Sequence, residues 1–105
     1  MTRLPLLPVL ALVGAPAFAE SHASAQTVAI SNFAFQPDAV MVATGTTVTF
    51  ANQDSAPHTA TSTSGAFDTG RLSRGSTAAL TFSAPGTYDY FCAVHPNMKG
   101  RIVVE

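Results

Sequence analysis

The chain has 105 residues, a single cysteine, three histidines, no tryptophan and a formal net charge of −1 at pH 7. That length holds one small domain, and the near-neutral charge excludes the clustered basic face that nucleic-acid binding needs. A lone cysteine excludes an internal disulfide framework.

The chain opens with a short positive start at Thr2-Arg3 and an apolar run from Leu4 to Val13. That run is interrupted by Pro5 and Pro8 and falls short of the roughly 20 residues needed to span a bilayer. Gly14-Ala15-Pro16 leads into Ala17-Phe18-Ala19, a small-x-small cleavage pattern. Residues 1–19 are therefore read as a cleaved secretory signal peptide, cut after Ala19. Ala23-Ser24-Ala25 also fits a cleavage pattern but lies far from the apolar run. Residues 20–26 are small and polar and are read as a flexible N-terminus, leaving 27–105 as the folded domain. Cleavage after Ala19 would make His22 the third residue. A free amine, backbone amides and an imidazole could then wrap a square-planar copper(II) as a second site. Losing Arg3 leaves Arg71, Arg74, Lys99 and Arg101 against six acidic residues. With no further apolar span, the product is expected to be soluble and free of the membrane. A domain this small is marginally stable alone. Without a disulfide, a metal is the remaining device for stabilising it.

Thr27-Val28-Ala29-Ile30 alternates polar and apolar and predicts a first strand. Phe33-Ala34-Phe35-Gln36-Pro37 continues the alternation into a Pro-Asp turn. Val40-Met41-Val42 predicts a second strand, and Thr47-Val48-Thr49-Phe50 a third with Val48 and Phe50 on one face. Asn52 to Pro57 is a polar loop that delivers His58. Thr59-Ala60-Thr61 reads as a short strand. Ser62 to Gly75 is a long polar stretch anchored by Phe67 and Leu72, and it is the one place where a helical turn could hide. Thr77 to Ser83 sets Ala78, Leu80 and Phe82 on one face. Ala84-Pro85-Gly86 is a turn. Thr87 to Cys92 and Arg101 to Val104 are the last two strands. Seven or eight short strands with regular turn signals predict an all-β sandwich. Alternation places Tyr88, Tyr90 and Cys92 inward and Asp89 and Phe91 on the other face. Pro96 and Gly100 are expected to help the chain turn back between the last two strands.

The chemistry concentrates in Tyr90-Phe91-Cys92-Ala93-Val94-His95-Pro96-Asn97-Met98. Thiolate and thioether ligands select copper(I), and imidazole suits both copper states. Two histidines and one cysteine in a plane, with a distant axial methionine, is an electron-transfer copper arrangement. The plane would be His58, Cys92 and His95, with Met98 axial. Zinc competes less well, because a thioether is a poor ligand for structural zinc. No open coordination position and no acid–base pair accompany the set, so an enzyme is not expected.

The segment Gly86-Thr-Tyr-Asp-Tyr-Phe-Cys92-Ala-Val-His95-Pro-Asn-Met98-Lys-Gly-Arg-Ile-Val-Val-Glu105 resembles the carboxy-terminal part of cupredoxins. The two-residue gap between His95 and Met98 is similar to that of the amicyanins. A weaker likeness runs back through Gly45-Thr-Thr-Val-Thr-Phe50 and Pro57-His58 to about Phe33. The resemblance implies a cupredoxin-like Greek-key sandwich in the periplasm. One type 1 copper would cycle between Cu(I) and Cu(II), and the protein would be a monomeric electron carrier. It further implies a quinoprotein amine dehydrogenase as donor and a c-type cytochrome as acceptor. Asn97 stands where amicyanins carry a bulky apolar residue, near the docking face around His95. Thr59 stands where cupredoxins often have asparagine; its hydroxyl could tie the His58 loop to the backbone beside Cys92. The rival reading is a periplasmic copper chaperone or copper buffer with the same four ligands.

Overall fold

The computed structural model describes residues 25–105. The expected signal peptide, its cleavage site, most of the flexible N-terminus and His22 lie outside the described residues. Eight strands follow in order: β1 Ala25–Ser31, β2 Ala34–Gln36, β3 Ala39–Val42, β4 Thr46–Asn52, β5 Thr61–Ser62, β6 Thr77–Phe82, β7 Gly86–Phe91 and β8 Lys99–Val104. They form two four-stranded sheets, β2-β1-β4-β6 and β3-β8-β7-β5. Strands distant in sequence become neighbours. β1 runs parallel to β4, and β3 parallel to β8. This is the expected all-β sandwich.

Period-two alternation sets the core. On β4, Thr46, Val48, Phe50 and Asn52 are buried while the residues between them are half-covered. Val28 and Ile30 on β1 belong to the same buried cluster as Ile102 and Val104 on β8. Each such large apolar side chain contributes about 1.5–3 kcal/mol when fully buried. A chain of aromatic rings runs through the core. Tyr90 lies edge-on to Phe35 at 4.7 Å and to Phe50 at 5.5 Å between ring centroids. Phe67 and Leu72 anchor the long connection as the sequence suggests, Leu72 buried and Phe67 packed against Phe82 at 5.3 Å.

Several strand ends shift by one or two residues from the sequence reading, β7 closing at Phe91 rather than Cys92 and β8 opening at Lys99 rather than Arg101, and three differences go further. Ala25 and Gln26 are strand, because they pair in parallel with Thr47 and Val48. The first strand does not run on through Phe33; the chain reverses at Asn32-Phe33, with Ser31 opposite Ala34. Both turn residues have φ of 55°, as a two-residue hairpin turn of matching twist requires. Between Thr59 and Thr61 only Thr61 is strand, extended by Ser62. His58 instead forms an isolated bridge with Leu72. Among the described residues the 62–75 stretch contains no helix.

Candidate metal centre

The site sits at one end of the sandwich, where two loops meet. The first leaves β4 at Asn52. That side chain is buried and organises the loop, its Nδ2 donating to the carbonyls of Ala56 at 2.9 Å and Leu72 at 2.8 Å. Its Oδ1 accepts the Asp54 N–H at 2.9 Å. These bonds let a polar loop enter the protein interior without orphaned backbone groups. They deliver His58, whose N–H and carbonyl pair with Leu72.

The second loop joins β7 to β8. Cys92 continues the inward face of Tyr88 and Tyr90, as alternation predicts, and is fully buried. The Cys92 N–H donates to the Met98 carbonyl at 3.0 Å, and the Met98 N–H to the His95 carbonyl at 2.9 Å. This closes a tight loop with Met98 buried at 5% exposure and Pro96 and Asn97 outside. Phe91 takes the opposite face and is half-buried. There it lines an outer groove of about 570 Å³ with Thr63, Asp89, Pro96 and Lys99.

The two loops bring three donor atoms together. Cys92 Sγ lies 3.8 Å from Nδ1 of His58 and 3.8 Å from Nδ1 of His95. The two Nδ1 atoms are 3.2 Å apart. An ion held about 2.0–2.3 Å from three evenly spread donors sets them roughly 3.5–4 Å apart. The two sulfur edges match that triangle, and the nitrogen edge is slightly tighter. Donor types and spacing therefore fit a soft, three-coordinate metal plane. His58 and Cys92 are buried and His95 is half-buried.

The surrounding contacts hold these groups in place. The Thr59 N–H donates to Cys92 Sγ at 3.3 Å. The Thr59 hydroxyl accepts the Ala93 N–H at 2.8 Å, the tie expected of it from the sequence. Asp54 Oδ2 lies 2.9 Å from His58 Nε2. The N–H of Phe33 holds the Asp54 carboxyl below the usual carboxylate range, with smaller help from Asn32 and His58. The Phe33 ring stands edge-on to His58 at 5.0 Å and to His95 at 4.9 Å, and is itself 52% exposed. Sequence reasoning misses Asn52, Asp54 and Phe33 as parts of the site. The one signal for Asn52 and Asp54 is Asn-x-Asp at a strand end, an ordinary side-chain-to-backbone turn pattern, and Phe33 has none.

Comparison with known proteins agrees with the geometry. The cupredoxin-like domain family matches residues 4–104. Amicyanin-alpha of Methylorubrum extorquens is 37% identical over 91 residues, covering 82% of this chain and 76% of that protein. The structure of the oxidized state of an amicyanin mutant superposes with a TM-score of 0.74 at 32% identity, covering 78% of this chain and 83% of that one. A copper-containing nitrite reductase from Thermus scotoductus superposes at 0.72 and 33% identity over 76% of this chain. The chain spans only 22% of that reductase.

Proposed function

This chain belongs to the cupredoxin family and is related to the amicyanins, and from that premise we propose that it is a one-electron carrier with one type 1 copper. His58, Cys92, His95 and Met98 would hold the ion. The observation that carries this reading is the convergence of the cysteine sulfur and two Nδ1 atoms at the closed end of the sandwich. Bound copper would supply a one-electron couple.

The chain's own residues do the rest. Burial of His58 and Cys92 keeps water from the thiolate. The Thr59 N–H to sulfur and the apolar surroundings of Cys92 tune the potential of such a site. His95 is the least covered of the three converging donors, so its outer edge is the short route to a partner. The Phe33 ring, Pro96 and Asn97 are exposed around that edge. All assigned donors belong to the protein, which leaves no position for a substrate and favours a carrier over an enzyme. We place the protein in the periplasm as a monomer. A quinoprotein amine dehydrogenase is the proposed donor and a c-type cytochrome the proposed acceptor.

The deciding measurement is the visible absorption spectrum of the copper(II) form, followed by reduction and reoxidation. The carrier reading expects an intense thiolate-to-copper band, lost in Cys92→Ser, and full copper retention through repeated cycles. Absence of the band overturns the copper site. Transfer of copper to an apo-acceptor on reduction would replace the carrier by a chaperone or buffer.

A further inference from the structure

We propose that Asp54 is a positioning residue: its one carboxylate fixes which nitrogen His58 turns to the metal and seats the Phe33 ring against both ligand histidines. The proposal rests on the copper reading above and deepens it.

Three donors converge on this carboxylate. Oδ1 accepts the Asn32 N–H at 2.8 Å and Oδ2 the Phe33 N–H at 2.9 Å. Oδ2 also lies 2.9 Å from His58 Nε2. The Asp54 backbone is anchored in turn by the Asn52 side chain. The imidazole of His58 has no exposure and the Asp54 side chain only 14%. An ionised carboxylate only accepts hydrogen bonds, so Nε2 must carry the proton. Nδ1 then keeps its lone pair, and Nδ1 is the nitrogen that faces Cys92 and His95. Removing the carboxylate would leave a buried N–H without this acceptor. It would also allow the other tautomer, whose Nδ1–H cannot bind a metal.

The same carboxylate explains an unusual turn. Asn32 and Phe33 both have φ of 55°. That conformation is common for asparagine or glycine and uncommon for a bulky residue such as phenylalanine. Two successive N–H groups directed at one anion stabilise such a concave backbone. The turn in return aims the Phe33 ring edge-on at His58 and His95. The β1–β2 hairpin and the copper loop thus share one anchor, and the pairing of a strained turn with a ligand histidine is what a purely local turn cap would not produce.

The test uses the full copper-loaded protein as wild type, Asp54→Ala, Asp54→Asn and Asp54→Glu. Copper(I) is titrated against a chromophoric copper(I) chelator, and the midpoint potential is measured. The diamagnetic copper(I) form is examined by NMR for a slowly exchanging His58 Nε2–H. We expect that resonance in wild type. We expect copper(I) affinity to fall roughly 10- to 100-fold in Asp54→Ala, the usual effect of losing a group that orients a metal-bound histidine. The loss should be smaller in Asp54→Asn, with a shifted potential in both and partial recovery in Asp54→Glu. A wild-type spectrum without the Nε2–H, or variants with wild-type affinity and potential whatever their melting temperatures, overturns the proposal. The wild-type measurement stands even where a variant fails to fold. If wild type itself takes up no copper, the copper reading falls first. If wild type forms the site and the variants match it, only the role of Asp54 falls.

Discussion

The hydroxyl of Thr59 accepts the backbone N–H of Ala93 at 2.8 Å. One bond thereby joins the residue after His58 to the residue after Cys92, and with them the two loops that supply the proposed ligands. Thr59 is buried and Ala93 exposed, so water could replace a lost hydroxyl at the Ala93 end. Thr59→Val keeps the shape and the main-chain bond to sulfur while deleting the hydroxyl. The same hydroxyl bonds Thr61 Oγ1 at 2.8 Å, so the change removes two bonds and should cost about 1–2 kcal/mol at about 1 kcal/mol net each; Thr59→Ser should recover most of it. Urea unfolding of the apo-protein measures the cost. Equal midpoints for wild type and Thr59→Val would show that the hydroxyl's two bonds contribute nothing.

Gly100 faces Tyr90 across β7 and β8, where the two residues are directly paired. A Cβ built on Gly100 falls inside the van der Waals envelope of the Tyr90 ring. Tyr90 is 1% exposed and wedged among Phe35, Phe50 and Phe67, so it has no room to retreat. Gly100→Ala should therefore destabilise by about 1–3 kcal/mol or more, as overpacking of a tight core does. A denaturant midpoint within error of wild type would contradict this contact.

Burial pushes the Tyr90 phenol well above its ordinary value near 10, with a smaller push from Asp38. The sign follows from linkage. Above pH 10 the unfolded chain releases this proton while the folded chain keeps it. The stability that the neutral phenol supplies is therefore complete below pH 10 and falls as pH rises through the folded value. A single such group gives a slope of up to about 1.4 kcal/mol per pH unit. Chemical unfolding between pH 9 and 11 should show the decline, and Tyr90→Phe should flatten it. The same slope in Tyr90→Phe would assign the decline to other groups.

Much of the architecture is legible in the sequence because it depends on short-range alternation. The inward placement of Val48, Phe50, Leu80, Phe82, Tyr88, Tyr90 and Cys92 follows from period two, and so does the half-buried outer face of Phe91. Cys92, His95 and Met98 are legible as a ligand loop because they lie within seven residues of one another. His58 can be paired with them only through the rarity of suitable donors. The turn at Asn32-Phe33 is hidden because phenylalanine is a poor signal for a left-handed position. It is stabilised by Asp54, some twenty residues away. Gly100 reads in the sequence as turn freedom, whereas its position in β8 is set by the approach of a ring. Tertiary contacts of this kind leave no local pattern.

His58 comes from the loop after β4 in one sheet, and Cys92, His95 and Met98 from the loop between β7 and β8 in the other. Hydrogen bonds already join the loops, through Thr59 to Ala93 and Thr59 to Cys92. The apo-protein should therefore fold with its sandwich intact rather than unravel as a small zinc finger does. A metal that binds only the folded chain still adds stability by mass action. The gain is about 4 kcal/mol when free metal exceeds its dissociation constant a thousandfold. In scanning calorimetry, copper-loaded and chelator-stripped protein should each show a cooperative transition, the loaded one at the higher temperature. The gap should grow with added copper and vanish in Cys92→Ser. An apo-protein without a cooperative transition would mean that copper, and not the core of Val28, Ile30, Val48, Phe50 and Ile102, holds the sandwich together. A loaded protein melting with the apo-protein would mean that no metal binds across the two loops.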